Sequence, residues 1–250
     1  MLARPGATAL NDDMIRLIAF DLDGTLIDSR RDIADSANEL LSHYGAPSLT
    51  VDAVVAMVGE GARLLITRVL AAAKVDAPID EALARFIEIY ERHLVAHTRP
   101  YPGIPEALGE LLRRTKLAVL TNKPRRAALE ILDHFELLDL FVDVIGGDGP
   151  QPRKPDPTGL HALRAQVNAR PEETLVIGDS WVDVETARQA RARAGFVTWG
   201  FGARPPEGLR PNEFEIHHPG ELPGVLARLN ANGSHEGNAW NVTIEPAKSE

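Results

Sequence analysis

The sequence predicts an α/β fold, in which a mostly parallel β-sheet of Rossmann-like topology carries an inserted α-helical cap. Short apolar runs rich in β-branched residues alternate with longer amphipathic segments, a pattern typical of parallel sheets covered by helices. One long interval near the N-terminus shows helical periodicity without a strand. Polar residues follow four of the predicted strands, at the edge where such sheets bind ligands.

The predicted sheet consists of five short apolar runs, namely residues 16–20, 116–120, 141–145, 174–177 and 195–199. Between the later runs, apolar residues recur at helical spacing over residues 104–114, 127–134, 157–167 and 184–193. Helices in these positions can serve as the crossover connections that parallel strands need. We therefore predict a core domain formed by residues 14–28 and 98–230.

The interval between the first two strands is predicted to be helical throughout. The segments DSANELLSHYG, GARLLITRVLAAAK and DEALARFIEIYERHLVAH all repeat apolar residues with the helical period. We therefore predict an inserted helical cap domain over residues 29–97, which rejoins the core through the Pro- and Gly-rich segment HTRPYPGIP. Residues 1–13 and 231–250 are poor in core residues and are predicted to be flexible ends.

Composition limits the classes of function. A net charge of −9 at pH 7 argues against nucleic acid or an anionic membrane as the main partner. The absence of cysteine excludes disulfides, thiolate metal sites and a cysteine nucleophile. No apolar run approaches the roughly 18 residues of a membrane span, and the first residues lack the apolar stretch of a secretory signal. We expect a cytoplasmic enzyme, monomeric or homodimeric.

Polar side chains at four predicted strand ends are the candidate site. In chain order they are Asp21 and Asp23; Thr121, Asn122 and Lys123; Lys154; and Asp179 and Asp183. Because the carboxyl ends of parallel strands lie at one edge of a sheet, we expect these residues to converge. A turn or a helix cap could explain any one group alone, whereas four groups in this arrangement favour a functional site.

These motifs resemble those of the haloacid dehalogenase superfamily. The chain carries DLDGT at residues 21–25, then Thr121, then Lys-Pro at 154–155, then GDSWVD at 178–183. Over about residues 16–229 it is similar to the phosphatase branch with a helical cap, and its TNKP and RKPDP segments most resemble those of phosphoglycolate phosphatases. The resemblance implies a Mg²⁺-dependent phosphomonoesterase that acts on a small phosphorylated metabolite. Among such metabolites, 2-phosphoglycolate is the first candidate substrate. The alternatives are a β-phosphoglucomutase-type mutase and a phosphatase for another small phosphorylated metabolite.

The resemblance implies different tasks for the first two aspartates. Asp21 would be the nucleophile, which accepts the phosphoryl group as an aspartyl phosphate. Asp23 would protonate the leaving oxygen and later take a proton from the water that cleaves this intermediate. A proton donor at Asp23 argues against a dehalogenase, because halide leaves without a proton. It also argues against phosphonate-cleaving relatives, which use a cap lysine instead.

The resemblance further implies a Mg²⁺ site. The side chains of Asp21 and Asp179 and the backbone carbonyl of Asp23 would bind the ion. Asp183 would lie in the ligand sphere or just behind it, although an acidic residue at a helix start can also serve the helix dipole. Oxygen ligands of this kind are those that Mg²⁺ prefers.

The remaining candidates are expected to bind the substrate. Lys154 would neutralise phosphoryl oxygens, and Thr121 would hydrogen-bond them with the help of Asn122. In the predicted cap, Gly61 and Arg63 belong to the segment VGEGARLL, where two glycines precede a helix. We expect this segment to contact the leaving group, with Arg63 binding a carboxylate in bidentate fashion. The alternatives are that Thr121 and Asn122 cap the next helix, and that Arg63 is a solvated helix residue.

Overall fold

The computed structural model describes residues 14–202, 204–205 and 208–232. In chain order the strands are β1 (Leu17–Phe20), β2 (Ile27–Asp28), β3 (Arg99–Pro100), β4 (Lys116–Leu120), β5 (Val144–Ile145), β6 (Thr174–Gly178), β7 (Arg193–Val197) and β8 (Glu213–Ile216). Six of them form one sheet in the order β5-β4-β1-β6-β7-β8, and every neighbouring pair in it is parallel. The predicted α/β class with a mostly parallel sheet is confirmed. Strands β2 and β3 form a separate antiparallel pair.

The helices cover the sheet and fill the long interval between β2 and β3. In chain order they are α1 (Arg30–His43), α2 (Val51–Val55), α3 (Ala62–Ala72), α4 (Ile79–His93), α5 (Ile104–Leu112), α6 (Arg125–His134), α7 (Thr158–Val167), α8 (Trp181–Gln189) and α9 (Leu222–Asn232). Of these, α1 to α4 lie in the segment predicted to be a helical cap. We call residues 29–97 the helical insertion. Its standing as a separate domain stays a prediction.

The central strand β1 is buried on both faces. Its alternate residues Ile18 and Phe20 belong to an apolar cluster that also includes side chains of the helical insertion and of α5, α6 and α9. Leu17 and Ala19 face a second cluster, formed with α7 and α8. Because strand side chains alternate, the unbroken apolar sequence of β1 matches a strand covered on each side. The strand exit therefore lies at the centre of the sheet edge.

Some element boundaries differ from the sequence-based expectation. Strand β5 begins at Val144 rather than at 141, and β7 begins at Arg193 rather than at 195. Helix α8 begins at Trp181, three residues earlier than expected, because Ser180 and Asp183 form a capping box at its start. Strand β8 and the β2–β3 pair were not predicted. Strands β2 and β3 have only two residues each, and the alternation of glutamate with apolar residues in β8 (EFEI) spans only four residues.

The two chain crossings between the core and the helical insertion are held by one buried carboxylate. Asp32, at the start of α1, accepts hydrogen bonds from the backbone N–H groups of His97 and Thr98 and from the Thr98 hydroxyl. Its side chain is 1% exposed. The outgoing and returning segments are therefore joined to each other directly.

The described residues include only part of the two ends of the chain. The predicted flexible ends, residues 1–13 and most of 231–250, lie outside the described residues, although 231–232 form the end of α9. Within the described residues, none of the helices combines the length and the apolar character that crossing a membrane requires.

Candidate active site

The chain turns sharply where it leaves β1. The backbone N–H of Asp21 donates to the Ile177 carbonyl at 2.9 Å, which extends the pairing with β6 by one residue. Gly24 has a φ of 85°, and a Cβ atom there would lie 2.0 Å from Asp179 Oδ2. Only glycine combines this conformation with so close an approach. The turn therefore lets the carboxylate of Asp179, which follows β6, lie against the chain where it leaves β1.

Three carboxylates form a cluster at this edge, with Asp179 and Asp183 buried and Asp21 partly buried. Ligand oxygens of Asp21, Asp179 and Asp183 all lie within 4.8 Å of one another. Burial raises the pKa of Asp21 to about 6, with the Lys154 ammonium opposing the rise and the charge of Asp183 adding to it. Burial also raises the pKa of Asp179 to about 8, helped by the charges of the other two carboxylates. The cluster thus holds more negative charge than its surroundings favour.

Lys154 is the cation within this cluster. Its Nζ donates to Asp183 Oδ1 at 2.5 Å and lies 2.8 Å from Asp21 Oδ1. The second contact is an ion pair by distance, but its direction does not fit a hydrogen bond. Asp21 Oδ1 is therefore buried without a hydrogen-bond partner among the described residues. Burial alone would lower the pKa of Lys154, but the attraction of Asp183 and Asp21 outweighs it, so the pKa is raised.

Asp183 serves the helix as well as the cluster. Its Oδ2 accepts hydrogen bonds from the backbone N–H and the hydroxyl of Ser180, which completes the capping box at the start of α8. Its Oδ1 accepts the Lys154 bond. The helix-start role and the site role considered in the sequence are therefore both present in one side chain. Direct contact of Asp183 with a metal stays a prediction.

The residues that follow β4 make hydrogen bonds to one another and to the loop that carries Lys154. Thr121 is buried, and its Oγ1 accepts a hydrogen bond from the Lys123 backbone N–H at 3.2 Å. Asn122 accepts a bond from the Lys154 backbone N–H and donates to the backbone carbonyls of Lys154 and Gly59. Both hydrogens of the Asn122 amide are therefore engaged by the chain. Asn122 thus holds the Lys154 backbone in place, and contact of Asn122 with a substrate stays a prediction.

Asp23 lies in a different environment from Asp21. Its Oδ1 accepts a 2.5 Å hydrogen bond from Ser29 Oγ and a 2.9 Å bond from Lys123 Nζ. Lys123 Nζ also donates to the Tyr90 hydroxyl at 2.5 Å and lies 4.5 Å from the centroid of the Tyr90 ring. Lys123 and Tyr90 were given no role from the sequence. Lys123 directly follows the Thr-Asn pair at a strand end, whereas Tyr90 looked like one apolar residue of a helix.

A cavity lies between the strand ends and the helical insertion. Its wall combines three of the site aspartates, Asp21, Asp23 and Asp179, with residues of the insertion that include Gly59, Gly61, Leu65, Phe86 and Tyr90. Gly61 lines the cavity, and its contact with a leaving group stays a prediction. Arg63 is not part of this wall. Its guanidinium pairs with Asp80, and its side chain is 50% exposed. The structure therefore supports the solvated-helix alternative for Arg63.

The family model described as haloacid dehalogenase-like hydrolase matches residues 18–197. This range contains every residue of the aspartate cluster, both lysines and the helical insertion. The chain belongs to the haloacid dehalogenase-like hydrolase family. The family predicted from the motifs is confirmed.

Curated relatives and solved structures narrow the comparison within this family. The chain is 39% identical over 217 residues to a phosphoglycolate phosphatase of Cereibacter sphaeroides, across 85% of this chain and 98% of the relative. It is 38% identical to phosphoglycolate phosphatase 1 of Pseudomonas aeruginosa, across 74% and 70% of the two chains.

Two crystal structures are similar over most of the fold. One is a predicted phosphoglycolate phosphatase from Haemophilus somnus, with a TM-score of 0.78, 26% identity, and coverage of 87% of this chain and 99% of the other. The second is a protein predicted to be a β-phosphoglucomutase, from Thermotoga maritima. Its TM-score is 0.65 at 25% identity, with coverage of 85% and 99%. The fold is therefore shared by proteins assigned to two related reactions.

The aspartate cluster of this hydrolase fits a metal ion. The donor set consists of carboxylate oxygens, which are hard ligands. Asp21 Oδ1 is buried and accepts no hydrogen bond from the described residues, so an electron-rich atom is left for another partner. The raised pKa values of Asp21 and Asp179 indicate that the buried charges need further neutralisation. A cation is the partner that satisfies all three observations.

Proposed function

We propose that this protein is a Mg²⁺-dependent phosphatase that hydrolyses 2-phosphoglycolate to glycolate and phosphate through an aspartyl phosphate. The observation that carries the proposal is the separation of two aspartates at one strand end. Asp21 lies in the metal-type cluster beside Lys154, whereas Asp23 lies apart from it on Lys123 and Ser29. One carboxylate is placed to attack, and the other to move protons. The curated relatives named above support the substrate.

The first half of the proposed reaction transfers the phosphoryl group to Asp21. A carboxylate oxygen of Asp21 forms a bond to phosphorus while the bond from phosphorus to the glycolate oxygen breaks. Asp23 gives its proton to this departing oxygen. Lys154 keeps its charge beside Asp21, where it can offset the phosphoryl oxygens, and the Thr121 hydroxyl can donate to them.

The second half regenerates the enzyme. Asp23, now a carboxylate, takes a proton from water, and the water oxygen forms a bond to phosphorus as the bond from phosphorus to Asp21 breaks. Phosphate leaves, and both aspartates return to their starting states. Mg²⁺ bound by Asp21, Asp179 and the Asp23 carbonyl, with Asp183 beside or in the ligand sphere, would supply positive charge that lets one anion approach another.

The helical insertion is proposed to act as a cap domain that closes the cavity. Two contacts support this role, since Asn122 Nδ2 donates to the Gly59 carbonyl and Lys123 Nζ donates to Tyr90. Gly61 contributes to the cavity wall. We also propose that the protein acts in the cytoplasm as a monomer or homodimer. Light scattering on the purified protein and fractionation of its source cells test these two points.

A panel of phosphate esters tests the reaction and its substrate. Phosphate release is measured with Mg²⁺ for 2-phosphoglycolate, sugar phosphates and nucleotides. The proposal expects the highest kcat/KM for 2-phosphoglycolate. No phosphate release from any ester would contradict the reaction, and a strong preference for another ester would contradict the substrate.

A phosphosugar mutase of β-phosphoglucomutase type is the second candidate, favoured by the Thermotoga maritima structure. It would share the first half of the reaction but pass the phosphoryl group to a sugar hydroxyl instead of water. Incubation with β-glucose 1-phosphate separates the two reactions. Glucose 6-phosphate formed without free phosphate supports the mutase, and free phosphate supports the phosphatase.

A further inference from the structure

We propose that Lys123 and Tyr90 form the subsite that binds the carboxylate of the leaving group and so selects the substrate. The inference rests on the proposed function and deepens it. Both side chains line the cavity, one from the end of β4 and the other from α4 of the helical insertion. Their contact joins the two walls of the cavity.

Lys123 is a buried cation in a cavity wall whose other charged residues are acidic. Its side chain is 4% exposed. Among the described residues that line the cavity, it is the one lysine or arginine, while Asp21, Asp23, Glu91 and Asp179 are acidic. A ligand that carries a second negative charge besides its phosphate would therefore find its counter-charge at Lys123. Neutral leaving groups gain nothing from it.

The position of Lys123 relative to Asp23 places it on the leaving-group side. In the proposed reaction Asp23 protonates the oxygen that leaves, so this oxygen must lie within hydrogen-bond reach of Asp23. Lys123 Nζ is 2.9 Å and 3.1 Å from the two Asp23 carboxylate oxygens. In 2-phosphoglycolate a single methylene group separates the leaving oxygen from the carboxylate. A carboxylate so close to the leaving oxygen falls in the neighbourhood of Nζ.

Within the described residues, the Tyr90 hydroxyl is the donor of this pair that has no acceptor. An ammonium group has three hydrogens, and Lys123 Nζ donates to both Asp23 carboxylate oxygens and to the Tyr90 oxygen. The Tyr90 oxygen accepts from Lys123, and within the described residues its own hydrogen has no acceptor. Burial raises the pKa of Tyr90 to about 12, so the hydroxyl keeps that hydrogen at neutral pH. The Tyr90 O–H therefore remains for a carboxylate, and a Lys123 N–H joins it when it leaves one of the two Asp23 oxygens.

Three other cations near the cavity pair with carboxylates, and Arg153, which lies against Gly61, donates its Nε hydrogen to the Gly147 carbonyl. Lys154 contacts Asp21 and Asp183 on the phosphoryl side. Arg68 pairs with Glu60, and Arg63 pairs with Asp80. The two buried lysines thus divide the substrate between them, with Lys154 at the phosphoryl group and Lys123 at the leaving group. Because Tyr90 belongs to the insertion, the subsite is complete only when the insertion packs against the sheet.

Selectivity between two matched esters tests the proposal. Ethyl phosphate has the skeleton of 2-phosphoglycolate with a methyl group in place of the carboxylate. The measured quantity is the ratio of kcat/KM for 2-phosphoglycolate to that for ethyl phosphate. A charged hydrogen bond contributes about 1.5–3 kcal/mol, so Lys123→Met is expected to lower this ratio by roughly ten- to a hundredfold. Tyr90→Phe removes a neutral donor and should lower it by about two- to tenfold.

Controls separate this proposal from its alternatives. Lys116→Met, the same substitution at the exposed beginning of β4, should leave the ratio unchanged. If Lys123→Met and Tyr90→Phe reduce both substrates equally, the pair only positions Asp23 and the subsite proposal is overturned. If the wild-type protein hydrolyses both esters with equal efficiency, the phosphatase reaction stands and the carboxylate subsite fails. If it hydrolyses neither, the proposed function itself fails. Tyr90→Phe, which loses one oxygen atom, keeps the test decisive if Lys123→Met does not fold.

Discussion

The two walls of the cavity differ in how they are built. The strand-end wall is dense in charge, and main-chain hydrogen bonds fix its side chains, as for Asp179 on the N–H groups of Phe201 and Gly202. The wall from the helical insertion is mostly apolar, with a glycine loop and the single hydroxyl of Tyr90. A rigid polar wall suits bond making and breaking, whereas a wall on a separate helical layer suits selection of the leaving group. We therefore propose that the strand-end wall carries out the chemistry and that the insertion wall, together with Lys123 at the end of β4, recognises the leaving group.

The substitution Asp21→Asn is the strongest test of the strand-end wall. An amide cannot form the aspartyl phosphate, so phosphate release should fall on the order of 10⁴-fold or more. The fold should persist, because the substitution removes a buried charge. Phosphate release and thermal unfolding are measured together, with Asp133→Asn on the exposed side of α6 as the control. Normal turnover by a folded Asp21→Asn protein would sink the nucleophile assignment.

The link between the two walls is tested by Asp32→Ala. This change leaves the N–H groups of His97 and Thr98 and the Thr98 hydroxyl without their buried acceptor. We expect the free energy of unfolding to fall by about 2–4 kcal/mol, which urea denaturation can measure. Asp35→Ala, one turn further along α1 and exposed, is the matched control. A loss below about 1 kcal/mol would show that the crossings are held by other contacts.

The charge balance of the strand-end wall predicts how stability changes with pH. The pKa values of Asp21 and Asp179 are raised in the folded protein, so the folded state holds protons that the unfolded state releases. Without metal, this stabilising contribution is full below about pH 4 and is lost as the pH rises through about 6 and then 8. We therefore expect the Tm of the metal-free protein to fall over this range as these carboxyls ionise.

Metal addition sharpens the same test. At pH 8, Mg²⁺ should raise the Tm, because a cation stabilises the ionised carboxylates of the folded state. Each kcal/mol of stabilisation corresponds to about 2–4 °C for a protein of this size. EDTA should abolish both the Tm increase and phosphate release, and Ca²⁺ should restore activity less well than Mg²⁺ because its coordination geometry is looser. Full activity in EDTA would contradict the metal assignment.

The smallest effect is expected at the insertion surface. Arg63 is half-exposed and pairs with Asp80, so Arg63→Ala should change the free energy of unfolding by no more than about 0.5 kcal/mol. In the Arg63→Ala variant, the ratio of kcat/KM for 2-phosphoglycolate to that for ethyl phosphate should change by less than about twofold. A ten- to hundredfold loss for 2-phosphoglycolate alone would instead support the carboxylate contact predicted from the sequence. It would also require the Arg63 side chain to leave Asp80 and turn toward the cavity.

The strand-end wall is the part of the site that sequence reasoning predicted well. Asp21, Thr121 and Asp179 each follow a strand whose apolar run is plain in the sequence, and parallel pairing brings their exits to one edge. Asn122 lies at this edge too, but its hydrogen bonds to the backbone of Lys154 and Gly59 were not predicted. Which group an amide bonds depends on neighbours such as Lys154 and Gly59, which are distant in the chain.

The sequence by itself determined the fold class, the family and the order of the catalytic motifs, because these depend on local periodicity and on residues next to strand ends. Only the tertiary structure decided the partners of Lys123 and Arg63. Lys123 meets Tyr90 because α4 packs over the exit of β4, and Arg63 meets Asp80 because α3 and α4 lie side by side. Helical periodicity shows which face of a helix is apolar, but not which distant side chain that face will meet. The contacts of the wall from the helical insertion therefore depend on how the helices pack against each other and against the sheet.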